Sequence, residues 1–542
     1  YKISTVEDGI HKLSYTNLLD LGVNINNMPI QDIKLYGNGG GMLPRLNSDF
    51  RYADLVENAI QIYDANNNGI FESEDYVLFY GQSPNKWIFN SSSGYFTHQR
   101  HLYSDEVFYF LTIDNTSPGK RIQQKAVLSN PAVTINTYND YKIHELELEN
   151  LLQSGRQWFG ERLDYQSNYD FDFYFPELVQ GSPISVTTEV VARSITSSNC
   201  LVSINDNISS LINIPQVSSS ASAEYAKIAS SIIESTSNSS NININLQYSS
   251  NDNSAMAWLN YIELNVRRKL KMTNNAILFR DAMHISPTIA KFEIEDADQV
   301  SVWDVSNPTD VYLLPTVITG NSLSFNDSLS DIREYIAFRS SAFSSPNLLG
   351  SIDNQNLHNL SSDIQYVIIA HANFLDAANR LADFHSNHSN LNSIVVTLDK
   401  IYNEFSSGMQ DVTAIRDFLK MLYDRVDSQL KYVLLFGDGS YDPKNRVLAN
   451  TNFIPTYQSF NSTSPTSTYV TDDYFGLLDD NEGLFINDLI DIGIGRFPVS
   501  TQEEAGILVD KVEYYYSQSS FGSWRNDIVF IADDGDANDQ NI

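Results

Sequence analysis

The sequence predicts a multidomain protein in which a β-rich N-terminal region with a β-sandwich precedes an α/β subdomain with a parallel sheet. The chain has 542 residues, more than one ordinary hydrophobic core can accommodate. Between residues 151 and 270, apolar and polar residues alternate with a period of two, which is typical of sheets buried on one face. After about residue 360, apolar strands alternate with helical patterns, which indicates a parallel sheet covered on both faces.

We expect domain boundaries near residues 150, 270 and 360, where the sequence pattern changes. The predicted units are a β-rich N-terminal region (1–150), a β-sandwich (151–270), a β-rich connecting module (271–360) and an α/β subdomain (361–520).

The composition excludes one broad class of function. The chain carries 34 Lys and Arg against 67 Asp and Glu, a net charge of -33. Binding of nucleic acid requires clustered basic residues that displace counterions from phosphate, so we expect no nucleic-acid partner. An acidic surface also suits a medium that contains calcium, and the simpler interpretation is an acidic face exposed to solvent.

Hydropathy, the cysteine count and the first residues of the chain bear on the cellular compartment. No apolar run approaches the roughly 20 residues of a membrane span, so we expect no transmembrane segment of its own. Cys200 is the single cysteine, so no intramolecular disulfide forms. The chain opens YKISTVEDG, without the basic and apolar parts of a signal peptide. The protein is therefore cytoplasmic or has lost a signal peptide, and its abundant Asn and Ser with few Lys favour an exported surface protein.

Residues 64–75, DANNNGIFESED, have the spacing of a calcium-binding loop. Calcium binds six to eight oxygen atoms, and a glycine at position 6 permits the sharp turn that gathers them. Position 12 is Asp and a strand pattern follows, so we expect an isolated loop rather than an EF-hand pair. The alternative is an Asn-rich β-turn without metal. The predicted ligands are Asp64, Asn66, Asn68, Ile70 through its carbonyl, Glu72 and Asp75.

The predicted sandwich shows strict alternation. Ile242, Ile244, Leu246 and Tyr248 fall on one side of a strand whose other side is polar. Cys200 lies in a similar run, with no His or acidic residue near it in sequence. A structural thiol is therefore the expected role, rather than a nucleophile.

The α/β subdomain is predicted from its buried strands and capped helices. Asn373 and Asp411 are expected to cap helices, and a third helix is expected over 501–517. The predicted strands are 364–370, 394–398, 432–436, 490–494 and 527–532.

Function in parallel sheets gathers at the carboxyl ends of the strands. The polar residues at those ends are His371, Asp399, 437–440 (Gly-Asp-Gly-Ser), Arg496 and 533–535 (Asp-Asp-Gly).

These strand ends support no single reaction on their own. Ser440 lacks the Gly-x-Ser-x-Gly turn of a hydrolase nucleophile, although His371 could act as its base. No Gly-x-x-x-x-Gly-Lys phosphate loop is present. The acid pairs 472–473, 479–480 and 533–534 could bind a metal or a cationic side chain, or could be solvated loop carboxylates.

Several segments together resemble the gingipain-like (C25, caspase-like) cysteine peptidase family. They are SGRQWFG at 154–160, FLDAANRLAD at 374–383, IYNEFS at 401–406, YVLLFGDGSYD at 432–442, TDDYFG at 471–476 and DIGIGRFPV at 491–499.

The resemblance implies a caspase-like fold with two α/β subdomains, of which 361–520 is the first. Residues 521–542 would begin the second, which carries the catalytic His in a Gly-His-Gly turn and the Cys nucleophile. No Gly-His-Gly occurs in this sequence, and its one cysteine lies in the sandwich. We therefore assign no catalytic residue, and expect 437–440 to be the non-catalytic counterpart of the Gly-His-Gly turn.

The resemblance also implies substrate-binding residues. The family has a Ser-Asp-x-x-aromatic-Gly segment whose Asp binds a basic substrate side chain, and Asp472 matches that Asp. The acid is doubled here, so Asp473 could be the pocket residue instead, or both could bind calcium. Asp472 could equally cap a turn.

The function implied for the intact protein is that of a cysteine endopeptidase and sortase at the cell surface, peripheral to the outer membrane. It would remove C-terminal sorting domains from type IX secretion cargo and transfer the cargo to a surface glycolipid. The implied partners are secreted cargo proteins, an outer-membrane barrel protein and other subunits of the attachment complex. Residues 1–542 alone are expected to be inactive. The alternative is a non-catalytic surface adhesin or scaffold.

Overall fold

Strands account for nearly all of the regular secondary structure of the computed structural model up to about residue 350, and helices are concentrated after it. The structure describes residues 1–166, 168–220, 222–485 and 488–530. In those ranges, no helix combines the length and the apolar character that a membrane crossing requires.

The N-terminal region consists of short strands and one short helix. β1, β9, β3 and β4 are neighbours in one sheet, β2, β6 and β5 form a second sheet, and β7 and β8 form a hairpin. The buried alternate residues of these strands form a common core that includes Ile3, Phe79 and Tyr109. The elements are β1 (Lys2–Thr5), β2 (Gly9–Ser14), α1 (Tyr15–Asp20), β3 (Ile33–Tyr36), β4 (Glu57–Asn58), β5 (Gln61–Tyr63), β6 (Tyr76–Gly81), β7 (Lys86–Asn90), β8 (Tyr95–Gln99) and β9 (Val107–Ile113).

The predicted β-sandwich is confirmed. β13, β18, β15 and β16 form a sheet that packs against a second sheet containing β12, β19, β14 and β17, and Cys200, Ile244 and Leu264 lie in the core between them. The strands are β10 (Gln123–Gln124), β11 (Val133–Ile135), β12 (Thr137–His144), β13 (Asn168–Tyr174), β14 (Pro183–Arg193), β15 (Ser198–Ile204), β16 (Ile208–Ile214), β17 (Lys227–Thr236), β18 (Asn241–Ser250) and β19 (Met256–Lys269).

The connecting strands extend the sandwich and return to the N-terminal region. β23, β22, β26 and β20 continue the sheet of β12, while β27 pairs with β1. Sheets therefore cross the residue numbers 150 and 270 that the sequence pattern suggested as boundaries. The strands are β20 (Ala276–Arg280), β21 (Ile289–Ile294), β22 (Ser301–Asp304), β23 (Tyr312–Leu313), β24 (Val317–Thr319), β25 (Ser322–Ser328), β26 (Glu334–Phe338) and β27 (Asn347–Gly350).

The α/β subdomain contains the predicted parallel sheet, in the order β29, β28, β30, β33. Apolar residues of α3 and α4 cover one face, and those of α2 and α5 cover the other. The elements are β28 (Tyr366–Ala370), α2 (Leu375–His388), β29 (Ser393–Thr397), α3 (Leu398–Phe405), α4 (Val412–Tyr423), β30 (Tyr432–Phe436), β31 (Tyr457–Gln458), β32 (Val470–Thr471), β33 (Gly493–Phe497) and α5 (Gln502–Tyr516).

Short 3₁₀ turns complete the list of helical elements. They are Ile30–Asp32, Ser340–Ala342, Leu357–Asn359, Ala372–Phe374, Asp473–Gly476, Gln518–Ser520 and Ser523–Asn526.

Three local predictions in the α/β subdomain were wrong. The cap before α2 is His371, whose ring accepts the N–H of Asn373, rather than Asn373 itself. The fourth strand is Gly493–Phe497 rather than 490–494. Residues 527–530 form no strand, and 531–532 lie outside the described residues, as do the acids of 533–535.

Candidate functional site

The carboxyl ends of β30 and β33 border a groove of about 700 Å³. The loops after these strands and the segment around β32 form its walls. The residues that carry its polar chemistry are Asp438, Ser440, Asp472 and Arg496. Because all four strands are parallel, their ends meet at one edge of the sheet, which places two of the predicted strand-end sets, 437–440 and Arg496, in one groove.

Arg496 of β33 holds the groove together. One terminal nitrogen, Nη1, donates to the carbonyl oxygens of Gly437 at 2.9 Å and of Ile454 at 2.8 Å. Nε and Nη2 donate to the two carboxylate oxygens of Asp472, each at 2.7 Å. This paired geometry is the strong form of the arginine–carboxylate interaction. A single guanidinium thus fixes three segments of the groove relative to one another.

The two adjacent acids, Asp472 and Asp473, lie in different environments. The side chain of Asp472 is 23% exposed and is occupied by Arg496. Asp473 begins the 3₁₀ turn and is exposed, and its backbone N–H donates to Oγ1 of Thr471 at 3.1 Å. Among the described residues, the carboxylate of Asp473 forms no ion pair or hydrogen bond. The predicted role of both acids in substrate binding stays a prediction, and Asp473 is the one whose carboxylate is available.

The loop after β30 is built around a buried acid. Asp442 is 0% exposed. Its carboxylate accepts the guanidinium of Arg446 at 2.9 Å and the backbone N–H groups of Lys444 at 3.2 Å and Val447 at 2.7 Å. A fully buried carboxylate with three donors fixes the loop backbone.

Gly437 meets a steric requirement at the start of this loop. A Cβ there would lie 2.9 Å from atoms of Phe453 and Ile454, so no larger residue fits without a shift of those side chains.

The described contacts do not bring Ser440 and His371 together. Oγ of Ser440 accepts the backbone N–H of Asp442 at 3.1 Å. His371 packs on Phe453 and Phe374 and caps the turn that precedes α2. Burial lowers the pKa of His371, and the charge of Asp399 partly offsets this. His371 therefore has the capping role of a partly buried histidine, and no hydrogen bond joins it to Ser440 in the described chain.

Cys200 lies in the sandwich core, as its sequence context predicts. It is 0% exposed, and burial raises the pKa of its thiol to about 12. A buried neutral thiol neither attacks a carbonyl nor meets a substrate.

The calcium-type loop closes on itself in this structure. Oδ2 of Asp64 accepts the N–H of Gly69 at 2.9 Å, while its Oδ1 is buried without a hydrogen-bond partner. Both oxygens of Asp75 accept backbone N–H groups, and the amides of Asn66 and Asn68 donate to Oε2 of Glu72. The oxygens of the loop thus accept its own N–H groups except for Oδ1 of Asp64, and calcium binding here stays a prediction.

A further acid–histidine cluster joins the N-terminal region to the α/β subdomain. Nδ1 of His358 lies 2.7 Å from Oε2 of Glu404, and its Nε2 lies 2.8 Å from the carbonyl oxygen of Ala53. The residues act here as a link between modules.

Sequence reasoning missed two features that organise the groove, the pairing of Arg496 with Asp472 and the buried carboxylate of Asp442. Arg496 and Asp472 were both singled out, but nothing in the local pattern pairs residues 24 apart in sequence. Asp442 is not among the candidate residues that the sequence pattern selects. The available signal was its place between an apolar strand and the two cations Lys444 and Arg446, in a chain where cations are scarce.

Comparisons with known proteins bear on the fold of the chain. The model of peptidase family C25 matches residues 359–542. The crystal structure of dimeric latent PorU from Porphyromonas gingivalis matches with a TM-score of 0.83 and 24% sequence identity, over 97% of this chain and 50% of that chain. This chain therefore spans about half the length of PorU. The predicted resemblance and fold class are both confirmed.

Two further matches cover about a quarter of the chain each. One is the CBM36-1 domain of a multidomain xylanase from the hindgut metagenome of Trinervitermes trinervoides, with 14% identity and a TM-score of 0.16. The match includes 23% of this chain and 96% of that domain. The other is the CBM35 domain from Cellvibrio japonicus Abf62, with 10% identity and a TM-score of 0.16. The match includes 26% of this chain and 94% of that domain. None of the curated proteins compared with the chain matches it.

Proposed function

We propose that this chain is the N-terminal part of a cell-surface cysteine endopeptidase and sortase that acts on proteins secreted by the type IX system. The observation that carries the proposal is the match to PorU over 97% of the chain, together with the C25 match of residues 359–542. The catalytic His and Cys are assigned to a second α/β subdomain of a longer protein, since Cys200 is buried in the sandwich.

The proposed chemistry is thiol-based acyl transfer. A Cys thiolate attacks the carbonyl carbon of the scissile peptide bond, and the His gives a proton to the departing amine. The resulting thioester is then opened by an amine of a surface glycolipid or by water. The loops held by Arg496 would form one wall of the substrate site, because they lie at the sheet edge where parallel α/β enzymes bind their ligands.

Within that wall, we assign substrate binding to the 472–473 pair with a division of roles. Arg496 neutralises Asp472, so Asp472 positions the loop. Asp473 is exposed beside it and presents its charge to a basic substrate side chain. A carboxylate facing Arg or Lys gives charge-assisted selectivity.

The test of this function is release and transfer of a cargo protein. The longer protein is incubated with a cargo that carries a C-terminal sorting domain and with an amine acceptor, and the products are identified by mass spectrometry. We expect a cargo that has lost the sorting domain and gained the acceptor through an amide bond. Intact cargo, with binding to it retained, would instead support the scaffold alternative.

We also propose that calcium binds the loop of residues 64–75 and stabilises the N-terminal region. Thermal unfolding should occur at a higher temperature with calcium than with chelator, because binding to the folded state alone stabilises it. Asp64→Ala removes the unpartnered Oδ1 as a calcium ligand and should abolish this rise in the unfolding temperature. Glu74→Ala, outside the ligand spacing, is the matched control and should keep it. Equal midpoints with calcium and with chelator in the unaltered chain would exclude the site.

Localisation and partners follow from the same likeness. We propose attachment to the outside of the outer membrane through a barrel partner and other subunits of the attachment complex, with secreted proteins as substrates. PorU was crystallised in a dimeric latent form, and a latent state of the longer protein is part of the proposal.

A further inference from the structure

A cavity of about 700 Å³ lies where the N-terminal region, the sandwich and the α/β subdomain meet. Its walls include Arg45 from the first module, Arg156 and Trp158 from the start of the second, and Tyr457 and Tyr474 from the third. It shares no lining residue with the strand-end groove. Its volume falls in the range of small-molecule sites.

Two arginines in this cavity have no partner within the described chain. Their side chains, those of Arg45 and Arg156, form neither a hydrogen bond nor an ion pair. The other described arginines that have no carboxylate partner donate to carbonyl oxygens instead. Arg121, for example, donates to Ile30 and Ile33, and Arg339 to Asn274, Asp296 and Asp298. The two unpartnered guanidinium groups line the same cavity.

Arg156 is held in place by aromatic rings. Its guanidinium carbon lies 5.7 Å from the ring centre of Tyr457 and 5.4 Å from that of Phe460, within the range of cation–π attraction. Its Nε is buried and makes no hydrogen bond. Its backbone N–H donates to the carbonyl oxygen of Ser459 at 3.1 Å. The side chain is therefore ordered before any ligand arrives, which lowers the entropy cost of binding.

The acids on the cavity wall are bound to other groups. Glu145 pairs with Arg100 at 3.2 Å, and Glu147 pairs with Arg446 at 2.6 Å. Glu189 accepts the amide of Asn260 at 2.7 Å.

The fourth acid on the wall is Asp411. Its two carboxylate oxygens accept the backbone N–H groups of Leu43 and Thr413. None of the four acids lies within ion-pair distance of Arg45 or Arg156. In a chain of net charge -33, two unpaired cations in one cavity indicate a site for an anion.

We propose that this cavity binds a small ligand through a carboxylate, with Arg156 as the main contact and Arg45 as the second. The guanidinium of Arg156 presents a planar set of donors that matches the two oxygens of a carboxylate. The aromatic walls suit the apolar body of a short peptide or the face of a sugar ring. The site lies outside the groove to which the peptidase function was assigned, so it is independent of that function.

The test measures binding of paired probes to the full chain by calorimetry. The carboxylate probes are N-acetyl-glycyl-phenylalanine and galacturonate, and their neutral counterparts are the peptide amide and galactose. We expect at least one carboxylate probe to bind about tenfold or more tightly than its counterpart, which also identifies the source of the carboxylate. Carboxylate probes that bind no better than their counterparts, or binding of inorganic phosphate alone, would overturn the proposal.

Variants locate the site. Arg156→Met keeps a long side chain between the rings but removes the charge, and should weaken the preferred probe about tenfold or more. Arg193→Met is the matched control, because Arg193 also stacks on a ring, that of Tyr225 at 4.2 Å, but outside the cavity. If Arg156→Met does not fold, Arg45→Met provides the same comparison with the stacked guanidinium intact. Equal affinities in the unaltered chain and in a folded cavity variant would contradict the assignment.

Discussion

Single side chains organise the strand-end groove more than any backbone element does. Arg496 binds Gly437, Ile454 and Asp472, and Asp442 gathers the loop that follows β30. The residues themselves could be selected from the sequence, since strand ends of a parallel sheet are where polar side chains converge. The sequence could not predict whether Asp472 or Asp473 pairs with Arg496. That choice depends on the directions in which the two side chains point after the chain turns.

The doubled acid gives a prediction at this scale. Asp473→Asn in the longer protein should lower kcat/KM for Arg- or Lys-containing substrates roughly ten- to a hundredfold, because a charged hydrogen bond to substrate is lost. Neutral substrates and folding should be little affected. Asp472→Asn should instead lower the free energy of unfolding by about 1–3 kcal/mol, because Arg496 loses its charged partner. The measurements are steady-state kinetics and denaturant unfolding. If Asp472→Asn lowered kcat/KM for basic substrates and Asp473→Asn did not, the substrate-binding residue would be Asp472.

Asp411 gives a pH prediction. It caps α4 and is 2% exposed, and burial raises the pKa of its carboxyl from 3.8 to about 6. Between about pH 4 and pH 6 the folded chain keeps a proton that the unfolded chain has released. The contribution of this group to the free energy of unfolding therefore falls as pH rises through that window.

Asp411→Asn has no such proton, so it isolates the effect. Lowering the pH from about 7 to about 4.5 should stabilise the unaltered chain relative to Asp411→Asn, as measured by denaturant unfolding at both pH values. Contributions from other titrating groups are common to both proteins and cancel. A difference between the two free energies that is the same at both pH values would show that Asp411 titrates normally.

At the scale of elements, the segment of residues 154–160 joins the sandwich to the α/β subdomain. The backbone N–H of Gln157 donates to Oγ of Ser462 at 2.8 Å, and Oγ1 of Thr468 donates to Oγ of Ser154 at 3.0 Å. Gly155 has φ 75° in the left-handed region, and a Cβ there would lie 2.2 Å from the carbonyl oxygen of Asn461. The strands of the parallel sheet were predictable from their apolar runs, but this contact was not, since its partner lies 300 residues away in a loop.

Gly155→Ala should therefore destabilise the junction between the modules. Gly181→Ala is the matched control, because Gly181 has φ 71° but open space around its Cβ position. The control should show only the strain of a left-handed alanine, about 1 kcal/mol. Gly155→Ala should lose clearly more in thermal or denaturant unfolding. Equal losses would mean that the loops separate at little cost.

At the scale of the whole molecule, the N-terminal modules are interleaved rather than arranged in sequence. β1 pairs with β27, and β12 pairs with β19. The alternation of apolar residues predicts which side of a strand is buried, and it did so for the sandwich. It carries no information on which strand is the neighbour, and antiparallel pairing across more than 300 residues leaves no local pattern. The α/β subdomain was easier to predict because its consecutive strands lie close together in one sheet.

We propose that residues 1–542 supply the substrate-facing wall of a cysteine peptidase, and that its nucleophile is not Cys200. The decisive measurement is cleavage of Arg- and Lys-containing peptides by the longer protein with Cys200→Ala, with and without a thiol-alkylating reagent. We expect the same rate as without the substitution, full inhibition by the thiol-alkylating reagent, and no cleavage by residues 1–542 alone. Loss of cleavage on Cys200→Ala with unchanged folding, or no thiol-dependent cleavage by the longer protein, would contradict it.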